Sequence, residues 1–272
     1  MKKDGLTKRE KAKIKKIHEG IKSVKIQGAT NVAKAALEAY ILNPSIEEKE
    51  KLIGLRTTEP MLTNAINFVG KIPNEEIIRH FGYAQRKIDK SVYKLLKKHK
   101  VVFTHCHSTN VVKALIYSKN RGLRFEVYNT ETRPLYQGRQ TARELNNAGI
   151  KVTTFIDSGL HEALEKTDIV LVGADAILRD GVINKIGSEL IAVVSFLRKI
   201  PMYVVADSWK FSPKNVKIEE RDFKEVWEGN SKGIKVRNPA FEKFDKKYIK
   251  GIVSELGVLD FEKFVKKIDK VF

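Results

Sequence analysis

The chain has a single cysteine, Cys106, among 272 residues. One thiol can neither close an internal disulfide nor build a cysteine-cluster metal site. Long apolar runs are also missing. Without a stretch of about 18 apolar residues, no membrane-crossing helix and no membrane partner are expected. The N-terminal stretch MKKDGLTKREKAKIKKIHEG is basic but has no apolar centre and no small-residue cleavage site. A secretory signal is therefore not expected, and the expected location is cytoplasmic. No GxGxxG follows the first expected strand and no Walker A motif occurs, which disfavours nicotinamide and nucleoside-triphosphate chemistry. Helix-turn-helix and zinc-finger signatures are absent, and no basic run is interleaved with aromatics as in single-strand binders.

What the chain does have is positive charge. Lys and Arg number 52 against 33 Asp and Glu, a formal net charge of +19. Such a surplus favours anionic partners, either nucleic acid or small phosphorylated molecules steered by the field. It is concentrated in residues 1–25 and 86–100, where solvated helix faces explain it equally well. With 42% apolar residues, the chain is long enough to bury a sizeable core.

The pattern changes near residue 99. Before it, apolar residues recur at helical spacing, as at Val32, Ala35, Ala36, Ala39 and Tyr40. Asn74 with Glu75 and Glu76 marks a helix start. Beyond it, short apolar runs alternate with helical ones: VVFT (101–104), FEVYNT (125–130), KVTTFID (151–157), IVLVG (169–173) and MYVVAD (202–207). Strands alternating with helices imply a parallel sheet with right-handed crossovers, and runs apolar throughout imply that both faces are covered. The expectation is an α/β protein. Residues 1–98 form a small helical domain, and residues 99–272 a Rossmann-like, doubly wound parallel-sheet domain. The apolar C-terminal segment GIVSELGVLDFEKFVKKI holds more apolar residues than a lone surface helix needs, which points to a homodimer or a larger assembly.

In a doubly wound sheet the ligand lies beyond the C-terminal ends of the strands. Those ends read THCHST (104–109), TETRPLYQG (130–138), DSG (157–159), GADAI (173–177) and DSWKF (207–211). NKIG (184–187) follows a DG turn and is expected to open the next helix. Polar loops are ordinary, but five of them at one rim carrying a thiol, carboxylates, amides and cations read as an active site. Phosphate would be held by amides at helix N-termini, with Asn184 and Lys185 adding a donor and a point charge. Adjacent strand residues face opposite ways, so His105 and His107 do not converge with Cys106 on one ion, and no metal is expected. Asp157 reads either as structural or as a hydroxyl contact.

The order THCxS, ETRPxxQGRxTAxEL, VGADAI, NKIG and KF, with LRTTEPMLTNAI (55–66) and RNPAFEKF (237–244), resembles one superfamily. It holds ribose-1,5-bisphosphate isomerases, methylthioribose-1-phosphate isomerases and the regulatory subunits of translation initiation factor 2B. The ETRP and THC elements resemble the first branch most. By that resemblance Cys106 is the proton-abstracting group and Asp175 the proton donor. Arg56, Gln137, Asn184, Lys185 and Lys210 match positions that hold phosphate or hydroxyls. Gly28, Ala29, Ser108, Thr109 and Asn110 match loop positions facing the substrate. Arg133, ahead of Pro134, is placed with the substrate contacts, either guarding the site or pairing with Glu131. No cofactor is implied.

Two departures stand out. Gln27 occupies the place of a phosphate-binding arginine, a lost contact of roughly 1.5–3 kcal/mol. Thr58-Glu59-Pro60 resembles factor-like archaeal members. The implied activity is aldose–ketose isomerisation of a sugar phosphate. The alternative is a non-catalytic factor-2B-like subunit that binds a translation partner and a phosphorylated sugar or nucleotide. For the reaction, an aspartate kept neutral by burial protonates the ring oxygen. A thiolate favoured by a helix N-terminus and by His105 and His107 takes the C2 proton, unless the hydrogen moves as hydride.

Overall fold

The computed structural model describes residues 5–229 and 233–272. The first four residues of the basic N-terminal stretch thus lie outside the described residues. Five helices come first: α1 (Lys8–Lys22), α2 (Ala29–Leu42), α3 (Ile46–Leu55), α4 (Pro60–Phe68) and α5 (Asn74–Leu96). Their boundaries follow local chemistry. Thr7 and Glu10 close a reciprocal capping box on α1. Gly28 turns into α2 with φ +80°, a conformation that costs glycine little. Pro60 occupies the first turn of α4, where its missing N–H has no partner to lose. On α5, Ile77, Phe81, Ala84, Ile88, Val92 and Leu96 are buried at steps of three and four.

The second half runs β1 (Val101–Thr104), α6 (Thr109–Asn120), β2 (Glu126–Thr130), α7 (Gln137–Asn147), β3 (Lys151–Phe155), α8 (Leu160–Glu165), β4 (Ile169–Val172), β5 (Ala176–Ile177), β6 (Gly181–Lys185), α9 (Ser188–Leu197), β7 (Met202–Val205), β8 (Phe241–Asp245), β9 (Gly251–Ser254), β10 (Gly257–Leu259) and α10 (Phe261–Ile268). Seven strands make the main sheet in the order β10-β9-β7-β4-β1-β2-β3, and only the β9–β10 pair is antiparallel. The chain builds outward from β1 to β3, then returns beside β1 with β4 and continues to β7. The crevice therefore opens between the ends of β1 and β4, where the winding reverses. The expected α/β architecture and its five parallel strands are present.

Three expectations need correction. The chain after β4 is not a simple polar loop. β5, β6 and β8 form a separate antiparallel sheet, and Asn184 and Lys185 lie on β6 rather than opening α9. A near-continuous apolar run broken only by the Asp180-Gly181 turn hides this hairpin in the sequence. Next, β3 is a sheet edge with Lys151, Thr153 and Thr154 exposed, so the early strands are not all covered on both faces. Finally, the apolar C-terminal segment is consumed internally. Ile252, Phe261, Phe264 and Ile268 pack into the core around Phe103 and Val172, so they carry no argument for self-association.

The two halves share packing. Ile88, Val92 and Leu96 of α5 lie in the same core as Val102, Val111 and Val127. Trp209, from the sheet half, is buried among the helices with Met61, Leu62 and Phe81.

Candidate active site

A cavity of about 330 Å³ opens at the crevice between the halves. It is lined by Gln27, Gly28 and Ala29 at the start of α2, by Arg56 and Glu59 between α3 and α4, and by the strand-end loops of the sheet. Among the residues singled out in the sequence, Cys106, Ser108, Thr109, Asn110, Gln137, Asp175, Asn184, Lys185 and Lys210 also line it. Arg133 does not. Its guanidinium is exposed and donates to Tyr136 Oη at 2.6 Å and to the Val226 carbonyl at 3.1 Å. Glu131 pairs instead with Arg139, at 2.6 Å. Asp157 accepts the Thr132 and Arg133 amides at 2.9 and 2.7 Å, so it shapes the loop.

Cys106 lies two residues past the end of β1 with φ +63°, in the left-handed region that disfavours a side chain. Its neighbours hold it there. The Cys106 amide donates to Thr132 Oγ1 at 3.0 Å, and Thr141 Oγ1 donates to the Cys106 carbonyl at 2.8 Å. Strained backbone of this kind costs about 1–3 kcal/mol and persists only where surroundings enforce it. Gly173 permits the close approach of the two strand ends. A Cβ there would sit 2.6 Å from Ser108 Oγ. Ser108 caps α6 by accepting the Val111 amide, and Ser108, Thr109 and Asn110 at the start of α6 line the cavity.

The titration pattern departs from the expected thiolate. Burial pushes the Cys106 thiol up to about 11, and the nearby Lys185 ammonium only partly offsets this. His105 and His107 do not help as cations, because burial lowers both. His105 is 2.9 Å from the Ile186 carbonyl and 2.6 Å from Thr130 Oγ1. Those contacts fix a neutral ring that donates to Ile186 and accepts from Thr130. Burial raises Asp175, against the pull of Lys210, Lys185 and Arg56, and so favours the protonated acid.

The cations are unequally committed. Lys210 Nζ donates to the Ala174 carbonyl at 2.6 Å, and burial lowers its pKa. Arg56 Nη1 donates to both carboxylate oxygens of Glu219 at 3.2 and 3.1 Å. Lys185 lies 5.0 Å over the Phe241 ring and makes no ion pair among the described residues. Two amides are also spoken for. Asn184 donates to Ser188 Oγ at 2.8 Å, and Asn110 donates to Gln85 on α5 at 2.8 Å.

Sequence reasoning did not assign Glu59 and Glu219 to the site. Glu59 was visible only as part of Thr58-Glu59-Pro60, and Glu219 had no local signal. Burial first, then the charge of Asp175, lifts Glu59 to about 7. Among the described residues one group of potential metal ligands exists, His80, Asp207 and Glu255, and it lies away from the cavity lining. Its members bond to one another and to the backbone. His80 Nε2 is 3.0 Å from Asp207, and the Ser208 amide donates to Glu255 at 3.1 Å. His80 also stacks on Trp209 at 3.7 Å. This clamp fixes the Ser208–Lys210 turn and hence Lys210.

The fold and crevice together define an α/β protein with a ligand-sized cavity at the switch point of a doubly wound sheet. The chain belongs to the Initiation factor 2 subunit family, whose model matches residues 15–261. It is 36% identical over 274 residues to the ribose 1,5-bisphosphate isomerase of Archaeoglobus fulgidus, covering 89% of this chain and 88% of that one. Its fold matches the crystal structure of the translation initiation factor eIF-2B of Pyrococcus horikoshii with a TM-score of 0.81 and 28% identity, over 94% of this chain and 98% of that one. It also matches the 5-methylthioribose 1-phosphate isomerase of Pyrococcus horikoshii with a TM-score of 0.76 and 25% identity, over 95% of this chain and 88% of that one.

Proposed function

We propose that the chain is an aldose–ketose isomerase that converts ribose 1,5-bisphosphate, or a close relative, to the 2-ketose. The observation that carries this is that Cys106, just past β1, and Asp175, in the link from β4 to β5, line one cavity with Lys185 and the starts of α2 and α6. Phosphate is held by Lys185 and by the first amides of α2 and α6. Asp175, favoured as the neutral acid, gives its proton to the ring oxygen as the C1–O bond breaks. Cys106 takes the C2 proton, and the same thiol delivers a proton to C1. The C2 hydroxyl then returns a proton to Asp175 as the ketone forms, so both groups end as they began. With the thiol at about 11, only a small fraction of Cys106 is thiolate near neutral pH, its proton released to solvent, and Lys185 is the cation that favours that fraction. The test is turnover of ribose 1,5-bisphosphate in deuterium oxide. Deuterium at C1 of the product supports proton transfer through Cys106. Product without deuterium fits either a hydride shift or return of the same proton by Cys106, and turnover that survives Cys106→Ser then assigns the hydride shift; no product at all refutes the isomerase reading.

The engagement of Arg56 by Glu219 and Glu59, with Gln27 beside them, favours a second reading: a non-catalytic, factor-like subunit that binds a translation partner and a phosphorylated ligand. Sub-micromolar binding to a translation factor without any turnover would establish it. A cytoplasmic setting and a homodimer or larger assembly complete the proposal, the latter supported by Leu190, Phe196 and Leu197, which α9 leaves exposed.

A further inference from the structure

Four buried side-chain polar atoms have no hydrogen-bond partner among the described residues: Arg56 Nε, Glu59 Oε2, Gln137 Oε1 and Ser195 Oγ. The residues carrying the first three line the one cavity. Arg56 and Glu59 are only 7% and 5% exposed. Their unpartnered atoms are chemically complementary, one a fixed N–H donor and the other a carboxylate acceptor. They are nevertheless not bonded to each other, and Arg56 Nε stands 4.0 Å from the other Glu59 oxygen, Oε1. A buried carboxylate oxygen beside a buried guanidinium N–H, both unsatisfied, is unfavourable in the empty protein. A ligand group that both gives and accepts a hydrogen bond satisfies the two at once.

The charge nearby says which group that is. Arg56 already faces Glu219 through Nη1 and Glu59 through Nε, and Asp175 lies close enough to Glu59 to raise its pKa. The Glu219 carboxylate already takes Arg56 Nη1, and the unpartnered Nε sits beside the Glu59 carboxyl. This end of the guanidinium therefore suits a neutral group better than a phosphate dianion, for which Lys185, without an ion pair among the described residues, is the uncommitted cation. A hydroxyl fits, because it donates to Glu59 and accepts from Arg56. We infer that Glu59, with Arg56, reads a hydroxyl of the bound sugar, which makes Glu59 a specificity-determining residue and leaves phosphate recognition to Lys185 and the helix N-termini. This inference rests on the sugar-phosphate reading given above.

Calorimetric binding separates the possibilities without needing turnover. The probes are ribose 1,5-bisphosphate, its 2-deoxy and 3-deoxy analogues, and inorganic phosphate. The wild type is expected to bind the analogue lacking the recognised hydroxyl about ten- to a hundredfold more weakly than the parent sugar. Glu59→Ala is expected to lose a similar factor on the parent sugar and to show no further loss on that analogue. Its affinity for inorganic phosphate should be unchanged or tighter. Glu59→Gln, which keeps an acceptor oxygen and the side-chain volume, should fall between and serves if the alanine variant folds poorly. Equal weakening of sugar and inorganic phosphate, or a deoxy penalty of the same size in wild type and variant, overturns the inference. Absence of any sugar-phosphate binding overturns the inference together with the proposed function. Binding and turnover that ignore Glu59 overturn the inference alone.

Discussion

Cys106 carries two costs at once: a left-handed backbone and a thiol raised to about 11. Thr132 and Thr141 enforce the first, burial the second. The thiol should therefore react slowly with iodoacetamide at pH 7 in the unliganded protein, and the rate should climb about tenfold per pH unit toward pH 10. Fast alkylation at neutral pH would contradict the burial argument. Cys106→Ser and Asp175→Asn should each abolish turnover and keep ligand affinity within a few fold, because both groups act on protons in the transition state. Lys185→Met should weaken phosphate-ester binding by roughly 1.5–3 kcal/mol with little change in melting temperature; an equal loss of unliganded stability would mark the lysine as structural. Glu59 behaves differently. A carboxyl held above its unfolded value favours folding at low pH, and that contribution is lost as pH rises through about 7. Asp175, Arg56, Lys210 and Glu219 are the charged groups that act on it. The gap from its ordinary 4.5 to about 7 amounts to roughly 3 kcal/mol at ~1.4 kcal/mol per unit. Glu59→Gln should thus raise the melting temperature, and more at pH 8 than at pH 5. A gain independent of pH would show that Glu59 is not charged at pH 8.

At the scale of elements, legibility followed periodicity. The five parallel strands and their helices were readable because each is a short apolar run or a 3.6-period pattern bounded by polar residues. The β5–β6 hairpin was not, because two short buried strands flank a two-residue turn and merge with the motif loops on either side. Most lining residues were legible through motif order. What no local pattern could supply was partnership: that Glu219 comes to Arg56 across 163 positions, or that Arg133 turns away to Val226. The clamp of His80, Asp207 and Trp209 belongs to the same category, since it joins α5 to the Ser208–Lys210 turn through tertiary contact alone. His80→Ala removes a stacked ring and leaves the buried Asp207 one partner short. It should lower stability by about 1–3 kcal/mol in denaturant titrations. It should also raise KM more than it lowers kcat, by loosening Lys210. Unchanged stability would show that Trp209 packing suffices without the histidine.

On the scale of the whole molecule, the exposed apolar residues of α9 predict self-association. Light scattering at micromolar concentration is expected to give at least a dimer, and Phe196→Asp with Leu197→Asp should reduce it to a monomer that keeps its melting profile. A wild-type monomer at that concentration would remove α9 from consideration. The site itself draws on both halves. Gly28, Arg56 and Glu59 come from the helices, and Cys106, Asp175 and Lys185 from the sheet. Those halves are not separable bodies, because α5 begins among the helices at Ile77 and Phe81 and ends in the sheet core at Ile88, Val92 and Leu96. The consequence concerns how such a chain can be recombined. A chimera joined at the helix–sheet border near residue 98 keeps a foreign α5 in the sheet core and mismatches Ile88, Val92 and Leu96 with Val102 and Val111. A crossover in the Gly70–Pro73 turn transfers α5 together with the sheet it supports. The unit of exchange is therefore the sheet with its long helix, and the cavity-lining segment from Gln27 to Glu59 is the part that can be swapped to change what the cavity accepts.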